Sequence, residues 1–255
     1  MITKIISGGQ TGVGRAALDV AIEHGIPHGG WLPKGRKTEA GALPAKYLLQ
    51  EMPTDSYPER TEQNVIDSDG TLIISHGNLT GGSDYTCQMA QKHNKPWIHV
   101  DASKYSVDAT VEVIRAWISG NKIRVLNVAG SRESKDPKIY GTTDTLLTRL
   151  IQSFFPKSVD EAVEVLLDRM DPEDRTFISN SRQNELSDLN ISLGSLIRRR
   201  FGLWGDNVEL LESCAKASGT EEISAETASL VIIGKLWKRL RETHPAGADK
   251  GVDQE

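Results

Sequence analysis

With 255 residues, 38% of them apolar and 25% charged, the chain is long enough for one large domain or two ordinary ones and reads as soluble and globular. It shows no apolar run near the ~18–20 residues of a membrane span and no charged-then-apolar leader before Ile5-Ile6, so a cytoplasmic protein is expected. Net charge is −5, carried by residues 156–255 (13 Lys and Arg against 19 Asp and Glu) rather than by 1–155 (17 against 16), a balance that argues against general nucleic-acid binding.

In chain order, Ile2–Ser7 is a compact apolar run that ends in Gly-Gly, and Val13–His24 follows with Ala16, Ala17, Val20 and Ala21 at helical spacing. Gly25-Ile26-Pro27 stops that helix. Short strand-like runs recur at Thr71–Ser75, Trp97–Val100 and Lys122–Val128, among helical stretches at Tyr57–Asp67, Asp84–His93 and Val107–Ser119. This alternation predicts an α/β fold, a Rossmann-like parallel sheet with helices on both faces, over residues 1–155. Beyond Phe154-Phe155-Pro156 the strand pattern stops. Ser158 and Glu161 form a capping box, and helical runs follow at Leu186–Phe201, Asn207–Ala217 and Ser224–Arg241. A small all-α domain is expected over 156–244, with a polar, disordered tail over 245–255.

The strongest motif is Ile5-Ile6-Ser7-Gly8-Gly9-Gln10-Thr11-Gly12-Val13-Gly14-Arg15, where a strand ends in glycines and a helix begins at once. Such a junction aims backbone N–H groups and the positive end of a helix dipole at one spot, and glycine lets a phosphate approach closely. The spacing is neither a Walker A loop nor the dinucleotide fingerprint. Leu79-Thr80-Gly81-Gly82-Ser83-Asp84-Tyr85-Thr86 is a second junction of this kind, which would sit beside the first at the carboxyl edge of a parallel sheet. Candidate ligand contacts are therefore Gly8, Gly9, Gln10, Thr11, Gly12 and Arg15 from the first turn, and Gly81, Gly82, Ser83 and Thr86 from the second. Lys34-Gly35-Arg36-Lys37 adds three cations, either a solvated loop or a ligand contact, and Lys34, Gly35 and Arg36 join the candidates; Ser131 and Arg132 leave the Asn127–Gly130 strand, where a guanidinium suits an oxyanion. Arg60, Asn64 and Asp67 share one helix face, either solvated or lining a cleft, and Arg60 joins the candidates.

Metal chemistry has little support. Cys87 and Cys214 lie far apart, and His24, His28, His76, His93 and His99 lack the i, i+4 pairing of a zinc helix. No nucleophile elbow is legible. In the helical part, Arg198-Arg199-Arg200 reads as a solvated face, and Trp204 and Trp237 as core or interdomain packing.

Several stretches together resemble the molybdenum carrier family, proteins similar to molybdenum-cofactor carrier proteins within the Rossmann-like group that includes the lysine-decarboxylase-like (LOG) phosphoribohydrolases. They are Ile6–Val13, Gly25–Gly35, Glu59-Arg60-Thr61-Glu62 with Asn64, Val65 and Asp67–Asp69, Thr80-Gly81-Gly82, and Leu126–Gly130. The resemblance runs through nearly all of 1–155. It implies an oligomer, dimer or tetramer, and a cleft at the strand ends that takes molybdenum cofactor or a related phosphorylated pterin or nucleotide-like anion. Two positions depart from the pattern: Gly14 replaces a common aspartate, and Gln88 stands nearest to the phosphoribohydrolase glutamate. An amide cannot serve as general base, so a carrier is expected over a nucleoside-monophosphate hydrolase, for which Glu62 or Asp84 would have to substitute. A third reading is a sensor of a nucleotide-derived ligand that signals through the helical domain. That domain resembles an uncharacterised helical family with a Phe-Gly-Leu-Trp signature, here Phe201–Trp204.

Overall fold

A computed structural model describes residues 2–243; the expected tail over 245–255 lies outside the described residues. The chain forms two compact units, parting between Phe154 and Phe155. Among the described residues no helix is long and apolar enough to cross a membrane.

The first unit begins with β1 (Lys4–Ile6) and α1 (Val13–Glu23). As the glycine at 25 predicts, α1 ends in a left-handed turn: Gly25 has φ +64°, and the Gly25 and Ile26 amides donate to the carbonyls of Ile22 and Ala21. The next stretch splits into β2 (His28–Gly29) and β3 (Trp31–Leu32). Gly30 is the pivot. Its φ is +116°, and a Cβ there would lie 2.4 Å from the Ser7 carbonyl oxygen, so the chain can turn out of the sheet only at a glycine. The excursion continues through β4 (Lys37–Thr38), β5 (Gly41–Ala42) and β6 (Gln50–Glu51). β3 pairs with β6, and β4 with β5, in two small ladders apart from the main sheet. The chain returns through α2 (Tyr57–Ile66), capped by Ser56 with Pro58 in its first turn, to β7 (Gly70–Ser75), α3 (Gly82–Lys92), β8 (Trp97–Asp101), α4 (Val107–Gly120), β9 (Val125–Gly130) and α5 (Ile139–Gln152).

The main sheet is all parallel, in the order β2-β1-β9-β7-β8. Every residue of β7 is buried, as befits a central parallel strand. Helices α1, α4 and α5 pack in a row, and α2 packs on α3, which accounts for the apolar stripes of these helices. This is the Rossmann-like architecture expected from the alternation. β1 and β7 feed helices that lead away from each other, to the two edges of the sheet, and β9 lies between them. The strand ends of β1, β9 and β7 therefore border one crevice.

The second unit is helical, built from α6 (Val159–Arg169), α7 (Pro172–Asn180), α8 (Leu186–Arg200), α9 (Val208–Ser218) and α10 (Ala225–Thr243). α10 is central, touching each of the others, and buries Ala228, Ile232, Ile233, Leu236 and Leu240. Ser158 caps α6 through the Glu161 amide, but the Glu161 carboxylate returns to the amide of Lys157, one residue short of a reciprocal box. α7 carries little periodic signal in the sequence; its start is marked by Asp171, which accepts from the Asp174 amide, and by Pro172. Trp237 packs on this core and donates its indole N–H to the Ser181 carbonyl, whereas Trp204 is 61% exposed and is no core residue.

Candidate functional site

The crevice at the strand ends holds a cleft of about 290 Å³. Its floor is the carboxyl ends of β1 and β9, Ser7-Gly8 and Asn127–Gly130. Its walls are the first turn after β1 (Gln10, Thr11), the inward face of α2 (Tyr57, Arg60, Asn64), the start of α3 (Gly81, Gly82, Tyr85, Thr86) and Arg132. The two glycine junctions thus face one space. Neither α1 nor α3 has a side-chain cap at its N-terminus; their N-cap residues are Gly12 and Gly81.

Arg60 is the central cation. The α2 face that carries it is fixed by its neighbours: the Asn64 side chain accepts from the Trp31 amide at 2.7 Å and donates to the Trp31 carbonyl at 3.1 Å, and Asp67 accepts from the Trp31 indole at 2.7 Å. With α2 held there, the guanidinium lies against Gly8, where a Cβ would come within 1.5 Å of one terminal nitrogen. The φ of Gly8 is not positive, so what a side chain at position 8 would meet is the Arg60 guanidinium, which could keep this seat only at a glycine. Desolvation pushes the Arg60 pKa down to about 10, and Arg132 nearby adds to the effect. Among the described residues no carboxylate pairs with Arg60. Ser7 Oγ, Gln10 Nε2 and Arg60 Nε are all buried, line this one cleft and lack a hydrogen-bond partner among the described residues. Tyr57 lies between the two cations, with its ring centroid 5.7 Å from Arg60 Cζ and 5.2 Å from Arg132 Cζ.

Glu39, on the β4–β5 hairpin, stands at the rim. It accepts from Thr11 Oγ1 and from the Ser134 amide (3.2 Å) and hydroxyl (2.7 Å), and lies 4.0 Å from Arg132; its own amide donates to Gln10 Oε1 at 3.0 Å. Burial alone would raise its pKa, but the hydrogen bonds from Thr11 and Ser134 outweigh it and hold the carboxyl below its usual value.

Of the residues singled out in the sequence, Gly8, Gln10, Thr11, Arg60, Gly81, Gly82, Thr86 and Arg132 come together around the cleft. Others do not line the cleft. Gly9 (φ +62°) packs on Leu43 and Leu49, and Gly12 (φ +74°) lies against the Ser131 carbonyl, which accepts from the Val13 amide. Ser131 is thus a backbone stitch between loops, and Ser83 is buried in the first turn of α3. Arg15 stacks over Tyr47 at 5.2 Å. Lys34 is exposed on the excursion, and the Gly35 amide is taken by Glu51 at 2.7 Å. Arg36 donates to the carbonyls of Leu43, Pro44, Tyr47 and Leu49, tying the excursion together instead of meeting a ligand. Glu62 lies outside the cleft, bonded to Lys92 and His93 at 2.7 Å each, and the hydrogen bond from Lys92 leads in holding its pKa low. Asp84 accepts from Gln88 at 2.7 Å, also outside. Among the described residues no Asp or Glu lines the cleft, and no group of three or more His, Cys, Asp or Glu is placed to hold a metal ion.

The model of the circularly permutated YpsA SLOG family matches residues 5–151. The chain belongs to this SLOG family. A crystal structure from Syntrophus aciditrophicus SB, named "Putative molybdenum carrier protein", is similar at 56% identity with a TM-score of 0.58; the match covers 58% of this chain and 94% of that one. Residues 155–240 match a domain family of unknown function, DUF6794. No protein of curated function matches the chain. In this SLOG domain the cleft presents hydrogen-bond donors, two guanidiniums and the side chains of Tyr57 and Tyr85. That set suits a planar ring joined to an oxyanion.

Proposed function

We propose that this protein binds and carries a small phosphorylated ligand, molybdenum cofactor or a related phosphorylated pterin or nucleotide-like anion, and does not turn it over. The observation that carries this reading is Arg60. A cation held against Gly8, with a buried Nε that meets no partner and no carboxylate beside it among the described residues, is costly unless an anion completes it. Phosphate would sit among Gly8, Gln10, Thr11, Arg60 and the Gly81-Gly82 turn, with Arg132 at its outer side. Tyr57 or Tyr85 would stack on the ring. The volume falls just short of the ~300–1,000 Å³ common for small-molecule sites, which suits a ligand no larger than a mononucleotide. The name of the Syntrophus relative, a molybdenum carrier, adds support for a molybdenum-bearing cargo. Among the described residues no Asp or Glu lines the cleft, and the Glu39 carboxylate at its rim is engaged by Thr11, Ser134 and Arg132, which favours holding a ligand over moving a proton at a glycosidic bond. Residues 1–155 act in this reading as the ligand-binding domain of a cytoplasmic homo-oligomer.

Native mass spectrometry of the freshly purified full chain is expected to show a co-purifying phosphorylated small molecule that persists without conversion. Release of free base from AMP by the purified protein, abolished by Arg60→Met in the cleft, would overturn the proposal.

A further inference from the structure

The carboxylate of Glu39 occupies donors that belong to the rim of the anion cleft. Thr11 and Arg132 line the cleft themselves, and Ser134 is two residues beyond Arg132. All three converge on Glu39, through the Thr11 hydroxyl, the Ser134 amide and hydroxyl, and the Arg132 guanidinium at 4.0 Å. Convergent hydroxyl, amide and guanidinium donors are the set that binds a phosphate oxygen. Glu39 is also the one carboxylate among the described residues that pairs with a cation of the cleft. The segment that delivers it is light: two strands of two residues each, with an exposed tip at Ala40-Gly41-Ala42, pinned to the turn by the Glu39 amide on Gln10.

We propose that Glu39 is an internal anion, which holds Thr11, Ser134 and Arg132 in the ligand-free protein and is displaced when the ligand's phosphate arrives. This rests on the anion-binding reading of the cleft. Arg132 is poised for the exchange, because its 4.0 Å contact with Glu39 is loose and it already lies over the Tyr57 ring. A bound phosphate near Arg132 both takes these donors and repels the carboxylate, so the hairpin over 37–42 must let go of Gln10 and Thr11. Glu39 thereby sets specificity: a doubly charged phosphate monoester competes with it better than a singly charged diester or carboxylate does.

The experiment is calorimetric titration of the full chain with inorganic phosphate at low salt, for the wild type, Glu39→Gln and Arg60→Met. Neutralising Glu39 is expected to tighten binding about tenfold, while Arg60→Met loses roughly 10- to 100-fold of it. Unchanged or weaker binding by Glu39→Gln, with Arg60→Met still losing it, would overturn the internal-anion role and leave the cleft standing. Failure of both the wild type and Glu39→Gln to bind phosphate would remove the cleft reading and this inference with it. Should Glu39→Gln not fold, hydrogen exchange on the wild type decides: phosphate is expected to speed exchange at the Glu39 amide, and slowed or unchanged exchange there counts against displacement.

Discussion

Arg60 concentrates the tension between stability and binding in one side chain. Its guanidinium is desolvated and faces Arg132 rather than an acid, so the ligand-free protein bears an uncompensated cost at this position. Replacing it by methionine keeps much of the volume and removes the charge. Arg60→Met is therefore expected to raise the thermal midpoint of the ligand-free protein by about 2–4 °C, the shift that ~1 kcal/mol gives in a chain of this size. The same variant should weaken phosphate binding by roughly 10- to 100-fold, the worth of a charge-assisted hydrogen bond. Differential scanning fluorimetry and calorimetry read the two effects, and a variant that loses both stability and affinity would show Arg60 to be structural. At this scale the sequence is half legible. Glycines next to polar residues mark Gly8, Gln10, Thr11 and the Gly81-Gly82 turn, and the i, i+4, i+7 face puts Arg60 beside Asn64, but spacing cannot tell a guanidinium that faces a ligand from one that binds carbonyls. Arg36 and Arg60 both belong to charged stretches; Arg36 is spent on four loop carbonyls only because the excursion wraps around it. Glu39 carries no local signal, since its partner Ser134 is 95 residues away.

Among elements, close approach explains what propensity does not. β9 ends at Gly130, which is in register with Ile74 of β7, and a Cβ at 130 would lie 2.0 Å from the Ile74 carbonyl oxygen and 2.6 Å from Val13. Both neighbours are fixed, one in the backbone of a buried strand and the other in the first turn of α1. Gly130→Ala is expected to destabilise by about 1–3 kcal/mol or more through overpacking. Gly82→Ala meets nothing within 4 Å and has no positive φ, so it should leave the midpoint unchanged or slightly raised. Chemical denaturation of the two variants beside the wild type checks the contrast, and equal midpoints would refute it. The continuous apolar run of β7 and the periodic stripe of α1 are legible because burial alone dictates their pattern. The break at Gly30 and the two small ladders are not, because they depend on the close passage of Gly30 over the Ser7 carbonyl and on the grip of Asn64 on Trp31. α7 escapes because it buries few residues, Ile178 and Ser179, and shows little apolar stripe.

For the molecule as a whole, the two units have separate cores and separate family matches, the SLOG model over 5–151 and DUF6794 over 155–240. All residues that line the cleft lie between Ser7 and Arg132, inside the first unit. The Syntrophus relative points the same way: 94% of the chain in its crystal structure is matched by 58% of this one. A fragment of residues 1–154 is thus expected to fold and to bind inorganic phosphate within about twofold of the full chain, since no cleft contact is removed. Calorimetric titration of both proteins measures this. If the fragment folds, as judged by circular dichroism and a cooperative melt, yet binds at least tenfold more weakly, the helical unit acts on the cleft and the sensor reading gains over the carrier. Equal affinity instead assigns the helical unit a task apart from ligand capture. Its groove beside α10, whose lining includes Lys216, Val231, Trp237, Lys238 and the Lys235–Asp160 pair, is the first place to seek that task by mutation.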